Sequence, residues 1–454
     1  MGAVRSEVET LSEAEVRTLQ NRLVAEQVEY VYRRSPFYHQ KLTGAGLTPD
    51  QIRTVDELER LSFTTKSEVR ASQERERPLG DILAVERSRV VRVVTTSGTT
   101  GRPVYYGYTE QDRASWFEVW GRCFWAHGWR PDKHESFLSV LGMSRLYGGS
   151  LFGELAGYLG GLPLPVGGEA GPERILSVLD DFGATILCGT PSYLTYLGRR
   201  CADVLGKPAR DTSVRLLTVS GEPGGGIPRV RAELEELWGA AVRESLGMLG
   251  FVQMWAECER QDGMHYNAPD YCLAQLVDPS TGALVDFVEG AQGELLYSLL
   301  QWEAHPQLRY RTGDNVVVTT GWGRCDCGRT GPKVRCVGRS DDMLIVRGVN
   351  LYPSAVKDVV TRFQPRTTGA MRIVLDSPAY SFNHPVRIKA EHAANANPET
   401  LSELQTELQH AIRQYLGVTS QVELVPAGTL DEPATSGRLA TTRKTEWFER
   451  TYES

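Results

Sequence analysis

Several things are scarce in this 454-residue chain. No stretch of about 18 apolar residues occurs, and Met1 to Gln20 has no apolar h-region, so neither a membrane span nor export is expected and the reading is of a cytoplasmic protein. Basic residues are not in excess: 50 Lys and Arg stand against 57 Asp and Glu, a formal charge of −7, which argues against a general nucleic-acid binder needing a basic face. Cysteine is sparse, with eight residues scattered along the chain, which argues against a disulfide framework and turns attention to metal or free-thiol roles. Internal repeats and low-complexity segments are absent. What remains is an ordinary globular composition, 41% hydrophobic and 24% charged, long enough to bury two or more cores.

The first 75 residues alternate helical patterns with breaks. Glu13 to Tyr32 carries apolar residues at helical spacing, and Val55 to Leu58 reads as the start of another helix. From Val90 to Leu299, short apolar runs (Ser136–Leu141, Ala184–Cys188, Val214–Ser220) alternate with helical segments (Glu173–Phe182, Val230–Leu237), the pattern of an α/β domain. From Asp270 to Val318 strand-like runs dominate, at Cys272–Val277, Gly293–Tyr297 and Asn315–Thr319, and predict a β-rich subdomain closing the large domain. After Gly338 the pattern restarts: a strand at Met343–Val346, a Gly-Val-Asn turn, a helix from Pro353, strands near Arg372 and Val386, a helix at Glu399–Leu416 and a strand at Gln421–Val425. The expectation is an α/β protein with a large multi-subdomain N-terminal domain over 1–338 and a small α+β C-terminal domain over 339–454.

The string Thr95-Thr-Ser-Gly-Thr-Thr-Gly-Arg-Pro103 follows the apolar Val90–Val94. Its two Gly let backbone approach a phosphate closely, while five hydroxyl side chains and main-chain N–H groups supply donors. It lacks GxxxxGK[ST] and is not a Walker A loop. It resembles the phosphate-binding loop of adenylate-forming acyl-CoA synthetases. The blocks Ser35-Pro-Phe-Tyr38, Phe63-Thr-Thr-Lys66, Gly189-Thr-Pro-Ser-Tyr193, Tyr310-Arg-Thr-Gly-Asp314, Gly338-Arg-Ser-Asp-Asp-Met343 and Arg347-Gly-Val-Asn350 are similar, in order, to those of the phenylacetate:CoA ligase family.

That resemblance covers nearly the whole chain. It implies a nucleotide- and acyl-binding N-terminal domain and a mobile C-terminal domain hinged near Asp341. It further implies ATP-driven formation of an acyl-adenylate from a compact, plausibly aromatic, carboxylic acid, then transfer to CoA, a carrier thiol or an amine, with Mg²⁺ as cofactor and a homodimer as assembly. Ser97, Gly98, Thr99, Thr100 and Gly101 would cradle phosphate. Gly221, Glu222 and Pro223 would stand beside the adenine, Asp314 would accept from the ribose hydroxyls, and Arg339 would approach a phosphate. Trp120, Tyr147, Gly148, Gly247 and Met248 would border the acyl group.

Two blocks depart from the family. Where it carries Tyr-Gly-x-Thr-Glu, this chain reads Leu246-Gly-Met-Leu-Gly250, so Leu249 cannot donate a hydrogen bond and Gly250 cannot ligate Mg²⁺; Glu244 and Glu257 are the nearby carboxylates that could substitute. Where it has a catalytic Gly-Lys, this chain reads Ser436-Gly-Arg-Leu439. Arg438 keeps the charge as a planar fork, and Lys444 is the alternative cation. Both losses fall on the adenylation step, so the alternative is an ATP-independent acyltransferase using a pre-activated donor, or a non-catalytic ligand-binding homologue.

A second constellation is Glu257-Cys258, Gly263-Met-His265 and Cys325-Asp-Cys327. Three thiols and an imidazole satisfy tetrahedral Zn²⁺ with no open position, so a metal here would be structural. Spacing alone leaves unpaired Cys as the alternative; the resemblance, through relatives that hold zinc at similar positions, favours Cys258, His265, Cys325 and Cys327, with Cys272 and Cys336 as substitutes and Cys123, Cys188 and Cys201 as core. Trp116, Trp120, Phe124 and His127 recur at helical spacing and predict a buried aromatic face. Arg145, in Leu141–Gly149, is a candidate partner for a carboxylate. No nucleophile partners His127 or His134, so a Ser/His or Cys/His hydrolase is unsupported.

Overall fold

The structure is a computed structural model that describes residues 4–95, 103–130, 134–143, 149–248, 253–347, 349–377, 381–394, 397–430 and 447–452. Outside these lie Ser97, Gly98, Thr99, Thr100, Gly101, Arg145, Tyr147, Gly148, Leu249, Gly250, Arg438 and Lys444.

The helical lead-in is α1 (Glu13–Arg34), α2 (Pro36–Gly44) and α3 (Lys66–Arg75). Ser12 starts α1 in a capping box with Glu15, and Ser35 followed by Pro36 starts α2. The helix expected from Val55 is one 3₁₀ turn, Glu57–Arg60. No side chain caps it, and the following chain is drawn into bridge pairing, Thr64 N–H donating to Arg309 O and accepting from Arg311 N–H at its carbonyl. A hairpin, β1 (Arg92–Thr95) with β2 (Tyr105–Tyr108), leads to α4 (Glu110–His127). Thr109 and Asp112 cap α4, and Gly128 ends it at φ +99°. The buried Asp112 carboxylate also accepts from Glu303 N–H (2.7 Å) and Ala304 N–H (2.9 Å), fixing the helix start to a loop nearly two hundred residues later.

Next come β3 (Ser136–Ser139), α5 (Gly149–Tyr158), β4 (Leu162–Leu164), α6 (Pro172–Asp181), β5 (Ile186–Gly189), α7 (Pro191–Leu205), β6 (Leu216–Val219), α8 (Pro228–Trp238) and β7 (Ala241–Gly247). Strands β3, β5 and β6 are buried along their whole length, so their apolar runs are continuous rather than alternating. The chain continues as β8 (Gln253–Glu257), β9 (Met264–Tyr266), β10 (Cys272–Val277), β11 (Leu284–Val285), β12 (Gln292–Leu299), β13 (Tyr310–Thr320) and β14 (Lys333–Arg339). These join the parallel strands in one twelve-stranded sheet ordered β11-β10-β12-β13-β14-β9-β8-β7-β6-β5-β3-β4. The strand-rich stretch is therefore the antiparallel half of the same sheet, seamed at the antiparallel β7–β8 pair.

The tail holds β15 (Leu344–Val346), β16 (Val349–Leu351), α9 (Pro353–Thr361), β17 (Thr367–Leu375), β18 (Ser381–Phe382), β19 (Val386–His392), α10 (Pro398–Leu416), β20 (Ser420–Val425) and β21 (Phe448–Arg450). The segment read as a Gly-Val-Asn turn contributes a strand, since Val349–Leu351 pairs antiparallel with Leu344–Val346. The tail has its own core, with Val356, Val360, Ile373, Ile388, Leu408 and Ile412 under the sheet β20-β19-β17-β21. It meets the large sheet where Ser354 Oγ donates to Val337 O and Arg229 donates to Gln364 O at 3.0 Å.

Candidate active site and metal centre

In an open parallel sheet the loops leaving the carboxyl ends of the strands form the natural ligand crevice. Here those loops carry Thr190-Pro-Ser-Tyr193 after β5, Ser220-Gly-Glu-Pro223 after β6 and Met248 after β7. The first two are tied together. Ser220 N–H donates to Gly189 O, and the Glu222 carboxylate accepts from Ser192 N–H at 2.9 Å, in the first turn of α7. Gly221 has φ +90°, a conformation that a side chain would strain. Gly247 ends β7 at a register shift against β8, and Met248 packs against the main core. The expected adenine loop and two of the expected acyl-side residues thus share one edge.

Asp314 stands in the antiparallel half, on β13. Between the pairs Leu296–Arg311 and Glu294–Asn315, β12 contributes only Leu295 while β13 contributes Thr312, Gly313 and Asp314. This bulge, with Gly313 at φ +76°, re-aims the strand. It is braced on both sides: the Glu294 carboxylate accepts from Gly313 N–H (3.0 Å), and Thr312 Oγ accepts from Asp314 N–H (3.0 Å). Arg339, opposite Asp314 in register, donates from Nη1 to its carboxylate at 2.5 Å and from Nη2 to Thr312 O at 3.2 Å. Asp314 is buried, whereas Arg339 is a third exposed. Cys336 lies between β13 and β7: burial pushes its thiol up, and the carboxylates of Asp314 and Glu244 push it further.

Of the two carboxylates weighed as replacement metal ligands, Glu257 already has both oxygens engaged. Glu257 accepts from Arg231 at one oxygen (2.6 Å) and from Glu244 N–H at the other (2.8 Å). Burial first, then the Glu257 charge, raises the Glu244 carboxyl.

The aromatic face of α4 is buried as expected. Trp120 stacks on Phe124 (5.6 Å between centroids) and meets Phe152 of α5 edge-on at 4.4 Å, with Trp116 beside it. Its indole N–H is buried and has no hydrogen-bond partner among the described residues. His127 Nε2 lies 3.3 Å from Glu244 O, and burial lowers the imidazole to about 3, with Arg243 adding to the effect.

Cys258, His265, Cys325 and Cys327 come together, their ligand atoms all within 4.8 Å of one another. Sulfur ligands of a tetrahedral Zn²⁺ at about 2.3 Å lie roughly 3.8 Å apart, so the set fits. The fold brings these distant segments together because β8 and β9 pair at Ala256–His265 while β9 pairs with β14 at His265–Lys333, at the foot of the Cys325–Cys327 loop. His265 Nδ1 faces Gly331 O at 3.3 Å and Nε2 faces Cys327 Sγ at 3.4 Å, which selects the tautomer whose Nε2 lone pair is turned to the cluster. The proposed substitutes are elsewhere: Cys272 is buried in β10 and Cys336 faces Gly338 O. Cys123, Cys188 and Cys201 are core.

The sequence reading passed over Glu294 and Thr312, which set the Asp314 bulge, and over Arg329 and Glu9, which adjoin the metal cluster. The resemblance assigns a role in Tyr-Arg-Thr-Gly-Asp to Asp314 alone, and Glu9 is 320 residues from its partner.

Residues 348–440 match the model of the AMP-binding enzyme C-terminal domain. A phenylacetate-coenzyme A ligase of Thermus thermophilus is 32% identical over 93% of this chain and 95% of its own. The crystal structure of 2-hydroxyisobutyryl-CoA ligase in the postadenylation state, in complex with 2-HIB-AMP, aligns with a TM-score of 0.84 at 28% identity, covering 95% of this chain and 90% of that one. The same enzyme with 2-HIB-AMP and CoA in the thioesterification state covers 98% and 92% but aligns at only 0.68.

Proposed function

This chain belongs to the phenylacetate-coenzyme A ligase family of adenylate-forming enzymes, and from that premise we propose that it activates a compact carboxylic acid, aromatic by preference, with ATP and passes the acyl group to CoA. The observation that carries the reading is the braced Asp314 carboxylate on its bulge, buried beside Arg339. A fixed, desolvated acceptor of this kind suits a pair of ribose hydroxyls.

In the first step the substrate carboxylate oxygen attacks the α-phosphorus of ATP, an acyl-O–P bond forms and pyrophosphate leaves. In the second, the CoA sulfur attacks the acyl carbon, AMP leaves with the bridging oxygen, and the thiol proton passes to solvent. Ser97 to Gly101 hold phosphate, Asp314 holds the ribose, and Arg339 stabilises phosphate charge while bracing Asp314. Arg438, or Lys444 in its place, supplies the late cation. Trp120, Tyr147, Gly148, Gly247 and Met248 bound the acyl group, whose flat ring would lie against the α4 aromatics. Residues 339–454 act as the mobile lid; the two arrangements of the hydroxyisobutyryl ligase, one matched well and one poorly, support a swing between the half-reactions. Cys258, His265, Cys325 and Cys327 hold a structural Zn²⁺, which would staple the antiparallel half of the sheet. The assembly is a homodimer by family likeness, and a cytoplasmic setting accords with ATP and CoA as substrates; no described helix is long and apolar enough to cross a membrane.

The altered residues Leu249, Gly250 and Arg438 are what an acyltransferase using a pre-activated donor would permit, but ligase relatives spanning the same blocks favour ATP-driven activation. The test is to incubate the protein with ATP, Mg²⁺, CoA and a panel of aromatic and short hydroxy acids, following AMP and acyl-CoA by mass. Acid-dependent AMP with a matching acyl-CoA is expected. Acyl transfer from a supplied thioester with no AMP would replace the ligase reading by the acyltransferase.

A further inference from the structure

The loop that carries Cys325 and Cys327 also carries a buried cation. Arg329 is almost wholly inaccessible, and its guanidinium sits between two anion-forming groups. Nη1 approaches Cys327 Sγ at 3.7 Å; Nε donates to Glu9 Oε1 at 2.8 Å and to Asn267 Oδ1 at 3.1 Å. The Arg329 carbonyl accepts from Cys325 N–H (2.8 Å), so the same residue closes the turn that presents both thiols. Asn267 in turn donates to His265 O at 2.9 Å. The contacts of Arg329 with Cys327 Sγ, with Cys325 N–H and, through Asn267, with His265 O thus each end on a metal ligand or its backbone.

On its other side the pair fastens the N-terminal segment. Glu9 Oε2 accepts from the backbone N–H groups of Arg5 and Ser6, both at 2.9 Å, and closes the 3₁₀ turn Glu7–Thr10 around the carboxylate. Thr330 N–H donates to Glu9 O (3.1 Å), and Thr330 Oγ to Leu11 O (2.6 Å). Arg5 then reaches Glu118 on α4 at 3.3 Å. A strap of residues 5–11 thus runs from the metal loop to the aromatic helix.

We propose that Arg329 is a positioning residue of the metal centre and that, through Glu9 and Thr330, it makes the seating of the N-terminal strap conditional on the metal. A Cys₃His set around Zn²⁺ carries one net negative charge, which a buried guanidinium at the Cys327 sulfur offsets. With the metal gone the loop loses its staple, and Arg329 and Thr330 lose the backbone that aims them at Glu9. The strap is a short 3₁₀ turn with little apolar surface of its own, so its attachment rests on these polar contacts. This inference rests on the zinc reading given above.

The two can fail separately. Zinc content of the purified protein and of Cys258→Ser is measured first: about one equivalent in the former and a loss in the latter are expected, and no metal in either would end the zinc reading and this inference with it. Hydrogen exchange is then followed in loaded and chelated full-length protein. Deprotection of residues 5–11 on chelation, with Thr367–Leu375 unchanged, is the expected result; bound zinc whose removal leaves the strap protected would overturn the inference while leaving the zinc site standing. Arg329→Met should weaken zinc binding against a competing chelator about 10- to 100-fold, and unchanged affinity would overturn the positioning role. Should that variant fail to fold, Glu9→Gln is used instead; it keeps the metal ligands and should free the strap even in the zinc-loaded protein.

Discussion

Replacing Asp314 by Asn isolates the charge of the residue on which the nucleotide reading turns. The amide keeps the shape of the side chain on its bulge, where Thr312 Oγ and the Glu294 carboxylate hold the neighbouring backbone. What is lost is an ionised acceptor for two ribose hydroxyls; hydrogen bonds to a charged group contribute about 1.5–3 kcal/mol against about 0.5–1.5 for neutral ones. An NH₂ group also turns toward Arg339, which today donates to Asp314 at 2.5 Å. Summed over two hydroxyls, the loss is about 2–3 kcal/mol, or roughly 30- to 150-fold in kcat/KM for ATP. Arg339 is a third exposed and retains Thr312 O, so folding stability should fall by only about 1 kcal/mol. The assay is acid- and CoA-saturated AMP release against ATP concentration, with a urea melt to establish folding. A folded Asp314→Asn protein within threefold of the parent would refute the ribose role.

Three further outcomes are expected. Burial holds His305 down to about 4, whereas an unfolded imidazole titrates near 6.5; its neutral form thus contributes stability that is complete above about 6.5 and lost as pH falls toward 4, because the unfolded chain takes up the proton first. His127, at about 3, adds to this and Glu244, at about 7, opposes it, so the clean reading is a comparison: acidification from pH 7.5 to 5 should cost His305→Gln about 2 kcal/mol less than the parent, and parallel profiles in urea melts would contradict the assignment. Trp120→Phe keeps the packing on Phe124 and Phe152 but removes an unpartnered buried N–H, so stability should change by less than about 1 kcal/mol while the KM for the acid shifts severalfold; an unchanged KM would remove Trp120 from the acyl pocket. Leu249→Thr with Gly250→Glu restores the hydroxyl and carboxylate of the family block and should raise ATP turnover at least tenfold, about 1.4 kcal/mol; no gain in a folded variant would mean that the phosphate end of the pocket is built differently here.

How far the sequence carried the fold depended on the range of the forces involved. Ser136–Leu141, Ala184–Cys188 and Val214–Ser220 are legible as buried strands because a strand covered on both faces needs an unbroken apolar run; β3 and β6 lie within their runs and β5 runs one residue past its own. Pro353 marks a helix start because proline is tolerated in a first turn and little beyond it. The single turn at Glu57–Arg60 was not legible, since its length is set by Thr64 pairing beside Tyr310. Nor was the one continuous sheet: whether Cys272–Thr320 forms a separate layer is decided by the β7–β8 seam, a contact that composition does not record. In the site, three thiols and an imidazole raise the possibility of a metal, but their spacing favours unpaired Cys, and it is the resemblance to zinc-holding relatives that picks out Cys258, His265, Cys325 and Cys327, which the fold brings together. Glu9 and Arg329 are common surface types whose burial together follows only from tertiary packing.

The most direct test of the central claim is acid-dependent exchange of labelled pyrophosphate into ATP by the purified, zinc-loaded protein, with CoA omitted. Reversal of the adenylation step needs only ATP, the acid and the groups around Asp314, Arg339 and the phosphate loop. Label entering ATP above the no-acid control for at least one compact aromatic or hydroxy acid, and abolished in Asp314→Ala, is the predicted result. No exchange with any acid, in a protein that still moves an acyl group from a supplied thioester, would contradict it.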